Sequence, residues 1–303
     1  MTTVSHLPRA PLFIGVDGGG TGCRARIEDA DGRLLGAGSA GPAALRLGID
    51  RSLAEVEAAS RGAAVDAGLS PSMLAEIDAG VGLAGIGRRG MMNEIYARSH
   101  PFRSVVYVND ATIACMGAHG GRDGGIVIVG TGSAGFAIVR GRELKVGGYG
   151  FPISDEGSGA DLGLRALRQA LRARDGRIAP TRLTAEILER FDDDPFAVVA
   201  WMDGATATDY ATLAPMVMRH ANVGDRVGRC IVGAAASRVD DMIRYLVENG
   251  APRIALAGGL ASSMESWLAA DVRRRLSPVE GDGVAGGILL ARRQRPSAMR
   301  RIV

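Results

Sequence analysis

Residues 11–35 read PLFIGVDGGGTGCRARIEDADGRLL and combine three short apolar or alternating runs with two tight turns. The first run ends at Asp17 and predicts a buried strand that enters a glycine turn at residues 18–21. Residues 23–27 alternate between apolar and charged side chains, which is the period of a half-buried strand. Asp31-Gly32 then supplies a hairpin turn before a third apolar run. The stretch therefore predicts three consecutive strands joined by tight turns.

The same layout returns at residues 126–146. An apolar run ends at Val129, the turn GTGS follows at residues 130–133, and two further strand-like runs flank a turn at residues 140–142. The two copies share only this pattern of turns, so they form an organisational repeat and not a fixed-period repeat. Two copies of one unusual unit predict duplicated lobes.

Strands and helices alternate along the rest of the chain. The predicted elements are a helix at residues 50–67, strands at 79–84 and 104–108, helices at 163–173 and 227–246, and a strand at 253–257. This alternation predicts mixed α/β lobes, and 303 residues exceed the usual size of one domain. We expect a first lobe of residues 1–115, completed by a C-terminal helix at 287–303, and a second lobe of residues 116–286.

The composition is that of a globular chain, with 47% hydrophobic residues, 23% charged residues and a net charge of +3. Basic residues are interspersed with acidic ones, so no nucleic-acid partner is predicted. No run of 18 apolar residues occurs and the first residues do not form a secretory leader, so we expect a cytoplasmic protein without a membrane partner. Cys23, Cys115 and Cys230 lack metal-binding spacing and are predicted to be reduced core thiols.

Three predicted strands each end in a turn of small residues. We name them the first glycine turn (Asp17-Gly18-Gly19-Gly20-Thr21), the second (Gly130-Thr131-Gly132-Ser133) and the third (Ala257-Gly258-Gly259-Leu260-Ala261). Glycines let backbone N–H groups approach phosphate oxygens and hydroxyls add donors, so each turn suits either a tight hairpin or a phosphate site. No Walker pattern occurs, and the first turn precedes a strand, whereas a dinucleotide fingerprint opens a helix. Three such turns together favour ATP binding by another architecture.

Two acidic positions and one aromatic residue have both structural and functional explanations. Asp110 follows a predicted strand and opens a helix, where its side chain could cap free N–H groups. Asp155-Glu156 lies in a loop before a helix, where carboxylates interact favourably with the helix dipole or could bind sugar hydroxyls. Tyr149 fits either a core aromatic or a stacking platform for a ligand.

The order of motifs DGGGT, ND, GTGS, GGYGFPISDEGSGA and AGGLA resembles the N-acetylglucosamine and glucosamine kinases of the BadF/BadG/BcrA/BcrD ATPase superfamily. Residues 146–163 carry the most specific match, and the resemblance spans Gly15 to about Gly287. It implies a two-lobed, actin-like (ribonuclease H-like) α/β fold of the actin/hexokinase type, with the nucleotide in an interlobe cleft. It also implies ATP-dependent, Mg²⁺-dependent phosphorylation of the 6-hydroxyl of glucosamine or N-acetylglucosamine by a homodimer.

Motif matching carries the family's site residues over to this chain. The resemblance implies that ATP is bound by Asp17, Gly18, Gly19, Gly20, Thr21, Gly130, Thr131, Gly132, Ser133, Gly258 and Gly259. It implies that the sugar is bound by Asp110, Gly148, Tyr149 and Asp155, with Asp110 as the base that accepts the proton of the attacking hydroxyl. Asp17 is suited to hold Mg²⁺ through water, because Mg²⁺ prefers few carboxylates and several waters; capping of the glycine turn is the alternative.

One segment departs from the family pattern. After Gly41-Pro42 the amino-sugar kinases commonly carry an Asn that binds the sugar, whereas this chain reads Ala43-Ala44-Leu45-Arg46. Loss of an amide changes which hydroxyls a polar site can select, so the acceptor sugar stays open and Arg46 is either a substitute or an exposed arginine. The alternatives are a kinase for a different sugar, a nucleotide-dependent activator or regulatory ATPase of the same superfamily, or a binding protein without turnover.

Overall fold

The computed structural model describes residues 10–87 and 90–294. The chain divides into two compact units, the first combining residues up to 122 with residues from 279 onward and the second comprising residues 123–278. The predicted boundaries at 115/116 and 286/287 differ from these divisions because each falls inside a continuous helix, Asp110–Ala118 or Gly283–Gln294. Residues 295–303 of the predicted C-terminal helix lie outside the described residues.

Each unit contains one mixed sheet. The strands are, in chain order, β1 Leu12–Gly18, β2 Cys23–Glu28, β3 Leu34–Ala40, β4 Ile77–Leu83, β5 Ser104–Asn109, β6 Gly124–Val129, β7 Ser133–Val139, β8 Arg142–Gly147 and β9 Ile254–Ala257. The first unit has the order β3-β2-β1-β4-β5 and the second β8-β7-β6-β9. In both, an antiparallel three-strand meander is extended by parallel strands, β4 and β5 in one and β9 in the other. The predicted repeat of strands and tight turns is therefore confirmed.

The helices complete both units. They are, in chain order, α1 Ile49–Asp66, α2 Met91–Tyr96, α3 Asp110–Ala118, α4 Gly159–Arg174, α5 Arg182–Glu189, α6 Pro195–Gly204, α7 Ala207–Ala211, α8 Ala214–Asn222, α9 Arg226–Glu248, α10 Ala261–Glu265, α11 Ala270–Arg273 and α12 Gly283–Gln294. Short 3-10 helices occur at Leu45–Leu47 and Pro71–Glu76. Among the described residues, no helix is both long and apolar enough to cross a membrane.

Glycines inside the strands of the first unit bring helices very close to the sheet. A side chain at Gly38 of β3 would lie 2.2 Å from the carbonyl oxygen of Ala59 in α1. On the other face, a side chain at Gly80 of β4 would lie 2.0 Å from the carbonyl oxygen of Gly287 in α12. All seven residues of β4 are buried, because α3 and α12 pack on one face of the strand and its other face lies in the hydrophobic core. Part of the high glycine content therefore serves helix–sheet packing.

The long helix α9 anchors the core of the second unit. The side chains on its predicted apolar face are all buried, namely Val227, Ile231, Ala235, Val239, Met242 and Leu246. Cys230 lies one position before Ile231, outside this apolar face, and is exposed, so the prediction of a core thiol is wrong at this position. Cys23 and Cys115 are buried as predicted, and burial raises the pKa of the Cys23 thiol to about 12.

Candidate functional site

In the first unit, three parallel strands end at one edge of the sheet. The register pairs Gly18 of β1 with Leu83 of β4, and Leu83 with Asn109 of β5. The first glycine turn follows β1, and Asp110 follows β5. Open α/β sheets bind ligands outside the carboxyl ends of their parallel strands. The structure thus brings two of the sequence-predicted site features, the first turn and Asp110, to the same edge.

Asp17 lies near the end of β1, where its carboxylate faces two neighbouring elements. Arg24 Nη2 donates to Asp17 Oδ2 at 2.7 Å, and this hydrogen bond is the main cause that raises the pKa of Arg24. A side chain at Gly283, the first residue of α12, would lie 3.0 Å from Asp17 Oδ2. Among the described residues, no group of three or more His, Cys, Asp or Glu side chains is suited to hold a metal ion. The Asp17 carboxylate therefore lies between the Arg24 guanidinium and the start of α12.

The first glycine turn is open on its outer side. Gly19 N–H donates to the carbonyl of Gly22 at 2.9 Å, which closes the turn, and Ala43 N–H donates to the carbonyl of Gly19 at 3.0 Å. Gly20 and Thr21 are exposed. If Gly20 carried a Cβ, the nearest described atom, apart from those of the adjacent residues, would be Arg46 Nη2 at 3.8 Å. This turn has room for a group that approaches its backbone.

Asp110 is the first residue of α3, but another side chain caps that helix. Asn109 is the N-cap residue, and its Oδ1 accepts the N–H of Ala111 at 2.9 Å. Asp110 Oδ1 also accepts this N–H at 2.9 Å. A side chain at Gly82 would lie 3.3 Å from the Cα of Asp110, so the glycine lets α3 begin directly against β4. Because Asn109 supplies a cap, capping alone does not account for a carboxylate at position 110.

In the second unit, the second and third glycine turns lie side by side. The parallel strands β6 and β9 pair Ile128 with Ala257, so both turns follow at the same edge of the sheet. Gly258 has φ 99°, and a side chain there would lie 2.4 Å from the carbonyl oxygen of Val129. Leu260 N–H donates to the same carbonyl at 3.0 Å. Gly258 is therefore required both by its left-handed backbone and by the close approach of β6.

The second glycine turn is packed against the loop before α4. The carbonyl oxygens of Gly130 and Thr131 accept the N–H groups of Gly159 and Ala160, the first two residues of α4, at 2.7 and 3.1 Å. Ser133 Oγ donates to the carbonyl of Glu156 at 2.7 Å. These three bonds attach the turn to the segment that carries Asp155-Glu156.

Asp155 points at the second glycine turn. A side chain at Gly132 would lie 2.5 Å from Asp155 Oδ2, and Asp155 Oδ1 accepts the N–H of Gly150 at 3.2 Å. Burial raises the pKa of the Asp155 carboxyl, against the opposing effects of the Gly150 N–H and the Lys145 ammonium. The backbone φ of Asp155 is 64°, in the left-handed region that Asp and Asn tolerate better than most residues. The structure thus brings Asp155 together with the second turn.

Tyr149 lies on the connection between β8 and α4 and is 79% exposed, so its alternative reading as a core aromatic is wrong. Lys145 Nζ lies 5.3 Å from the centroid of the Tyr149 ring, within the range of a cation–π contact. The neighbouring Gly148 has φ 68°, and a side chain there would lie 2.7 Å from Cβ of Ala134. Gly148 therefore fixes the path of the backbone that presents Tyr149.

Sequence reasoning missed two polar residues at the edge of the first sheet. Arg24 pairs with Asp17 across the β1–β2 hairpin, and its place in the alternating run opposite Asp17 could have indicated this contact. Asn109 precedes Asp110 in the ND motif, and its preference for N-cap positions could have assigned the cap to it.

Comparisons with known proteins agree with this architecture. The BadF/BadG/BcrA/BcrD ATPase family matches residues 14–291. The chain is 36% identical over 279 residues to the glucosamine kinase GspK of Vibrio cholerae. The aligned region covers 92% of this chain and 95% of that relative. A candidate N-acetylglucosamine kinase from Chromobacterium violaceum has a similar crystal structure, with a TM-score of 0.83, 35% identity and coverage of 94% of this chain and 100% of that one.

A more distant structure shows how widely the fold is shared. A ROK-family glucokinase from Streptomyces griseus matches with a TM-score of 0.52 at 20% identity and covers 93% of this chain and 99% of that one. These matches confirm the predicted α/β, actin-like fold class and the predicted family. The chain belongs to the BadF/BadG/BcrA/BcrD ATPase family.

Proposed function

We propose that this chain is an ATP-dependent kinase that phosphorylates the 6-hydroxyl of an amino sugar, glucosamine or N-acetylglucosamine. The observation that carries the proposal is the common strand edge of the first unit, where Gly18, Leu83 and Asn109 are paired neighbours. A phosphate-type turn and the carboxylate of Asp110 follow that edge. Support also comes from relatives that are named glucosamine kinase and N-acetyl-D-glucosamine kinase.

In the proposed reaction, Asp110 accepts the proton of the sugar hydroxyl. The hydroxyl oxygen forms a bond to the γ-phosphorus of ATP as the bond from that phosphorus to the bridging oxygen breaks, and ADP leaves. Phosphoryl transfer depends mainly on positioning and charge neutralisation, so one well-placed carboxylate suffices as the base. The other carboxylate at this edge, Asp17, which pairs with Arg24 in this structure, would bind the cation.

We propose that the glycine turns bind the nucleotide. In this assignment the first turn (Asp17–Thr21) and the second turn (Gly130–Ser133) donate backbone N–H groups and hydroxyls to phosphate oxygens, and Gly258-Gly259 contacts the nucleoside. Asp17 would hold Mg²⁺ through water. When bound, Mg²⁺ neutralises charge on the transferred phosphate. The open outer side of the first turn and the position of the Asp17 carboxylate at the end of β1 support this assignment.

We propose that Asp155, Gly148 and Tyr149 bind the sugar. The Asp155 carboxylate is partly buried beside Gly132, where a hydrogen bond from a sugar hydroxyl would compensate the desolvation that raises its pKa. The exposed ring of Tyr149 offers an apolar face for a sugar ring. Homodimerisation and a cytoplasmic location stay predictions.

The proposal is tested by a coupled assay of ADP release with glucosamine, N-acetylglucosamine and glucose. We expect release that depends on an amino sugar and that the Asp110→Asn variant loses. ATP binding without stimulation by any of the three sugars would contradict the sugar assignment. Equal ADP release with and without sugar would instead favour the activator or regulatory ATPase.

A further inference from the structure

The segment that departs from the amino-sugar kinase pattern is attached to the first glycine turn. Ala43 N–H donates to the carbonyl of Gly19 at 3.0 Å, and Leu45 N–H donates to the carbonyl of Ala84 at 2.9 Å, just beyond β4. Both Ala43 and Leu45 are buried. Arg46 follows at once in the 3-10 helix Leu45–Leu47. The backbone that carries Arg46 is therefore held at the strand edge that also carries Asp110.

The guanidinium of Arg46 reaches the open side of the first turn. Its Nη2 lies 3.8 Å from the position that a Cβ of Gly20 would occupy, and it is the nearest atom there beyond the chain neighbours. Within the described part of the chain, no carboxylate forms an ion pair with Arg46. Arg24, the other arginine near this turn, donates instead to Asp17 at 2.7 Å. Arg46 is exposed and thus brings a solvent-accessible positive charge to the open side of the glycine turn.

An anion at this position would be the phosphate that is transferred. β1 and β5 are separated by β4 alone, so at about 4.8 Å per strand spacing the first turn and the start of α3 lie roughly 10 Å apart. This spacing leaves room for a phosphate on the first turn and, between it and Asp110, for a hydroxyl that Asp110 deprotonates. Arginine suits such a group because its planar fork can donate two hydrogen bonds to one phosphate.

We propose that Arg46 binds the γ-phosphate of ATP at the first glycine turn and neutralises its charge during transfer. The inference rests on the proposed kinase function, which identifies the transferred group. In this proposal Arg46 contacts the phosphate and not the sugar, although the family's sugar-binding Asn is expected in the same segment, residues 43–46. Arg46 is then a catalytic residue of this chain, and Ala43-Ala44 its support.

The test compares the affinities of AMPPNP and ADP for the wild-type protein, Arg46→Ala, Arg46→Lys and the control Arg51→Ala. Arg51 is an exposed arginine of α1, five residues further along the chain. We expect Arg46→Ala to weaken AMPPNP binding about tenfold, as for loss of one charged hydrogen bond, and ADP binding less than about twofold. Arg46→Lys should recover part of the loss, and Arg51→Ala should match the wild type.

Turnover gives a second measurement. If Arg46 binds the γ-phosphate, Arg46→Ala should lower kcat by about tenfold to a hundredfold and leave the KM for the sugar unchanged. If Arg46→Ala has the same ratio of AMPPNP to ADP affinity as the wild type, the inference is overturned. This holds whether both affinities fall together or neither falls. A rise in the KM for the sugar alone would also overturn it, because Arg46 would then bind the sugar.

These outcomes are separable from a failure of the proposed function. A wild-type protein that binds AMPPNP but releases no ADP in response to an amino sugar would contradict the kinase assignment. The ratio of AMPPNP to ADP affinity would still report whether Arg46 contacts the γ-phosphate. Equal thermal unfolding midpoints for Arg46→Ala and Arg51→Ala would show that both variants are folded.

Discussion

The first and second glycine turns have similar sequences and different surroundings. In the first, a side chain at Gly20 would meet no described atom closer than 3.8 Å beyond its chain neighbours. In the second, a side chain at Gly132 would lie 2.5 Å from the carboxylate of Asp155, and α4 begins against the carbonyls of Gly130 and Thr131. A side chain at position 132 would have to displace the Asp155 carboxylate, whereas a side chain at position 20 would displace no described protein atom.

This difference separates two reasons for the same residue type. An open glycine turn lets a ligand reach the backbone, so substitution there should affect binding and leave the fold intact. A packed glycine turn fixes neighbouring protein groups, so substitution there should affect stability together with the position of Asp155.

Asp110→Asn should lower kcat by about a thousandfold, because an amide cannot accept the proton of the attacking hydroxyl. Stability should change little, since Asn109 still caps α3. Steady-state kinetics and thermal unfolding of the variant measure both effects. A kcat within about tenfold of the wild type would contradict the assigned base, and a large fall in the unfolding midpoint would assign Asp110 to structure.

Gly258→Ala should lower the free energy of unfolding by about 3 kcal/mol, because Ala would be strained at a φ of 99° and its Cβ would meet the Val129 carbonyl at 2.4 Å. Gly259→Ala is the matched control, since a Cβ at that position meets no described atom within 4 Å. We expect the control to change stability by less than about 0.5 kcal/mol. Denaturant unfolding measures both variants, and equal losses would contradict the packed character of this edge.

Gly132→Ala and Gly20→Ala compare the two turns directly. The first should displace the Asp155 carboxylate, raise the KM for the sugar about tenfold and cost about 1 to 2 kcal/mol of stability. The second should raise the KM for ATP and change stability by less than about 0.5 kcal/mol. The measurements are KM values for both substrates and denaturant unfolding. A destabilised Gly20→Ala variant would break the distinction between an open and a packed turn.

Asp155→Asn should alter the dependence of stability on pH. Burial raises the folded-state pKa of Asp155 above its unfolded value, so the wild type loses stability as pH rises from the unfolded pKa through the folded pKa. The amide does not ionise and tolerates the φ of 64°. The variant should gain stability relative to the wild type at neutral pH but not well below about pH 4. Denaturant unfolding across this range measures the difference, and a pH-independent difference would contradict it.

Strand positions and the edge of the first sheet could be predicted from sequence because they depend on local patterns. β1 ends at Gly18 and β5 at Asn109, so parallel pairing through β4 places Asp17 and Asp110 at one edge. The helices α5 to α8 were not predicted, although Thr181 and Thr206 form capping boxes. The helix α6 gave no amphipathic pattern because its sequence, PFAVVAWMDG, is apolar on nearly all sides.

Contacts between distant parts of the chain could not be predicted. Gly132 meets Asp155 and Gly20 meets Arg46 across more than twenty residues, through loops whose paths depend on the packing of α4 and on the bonds of Ala43 and Leu45. The predicted lobe boundaries fall inside α3 and α12, whereas the two compact units divide after α3 ends and before α12 begins, at residues 122/123 and 278/279. Local sequence patterns thus located the edges of the sheets but not the groups that loops bring to them.

The most direct test of the central claim is a phosphorus NMR spectrum of the products formed from ATP with glucosamine or N-acetylglucosamine. We expect a new phosphomonoester signal that grows in step with ADP and is coupled to the two methylene protons of carbon 6. Asp110→Asn should produce neither signal at a comparable rate. Formation of ADP and inorganic phosphate without any sugar phosphate would contradict the account.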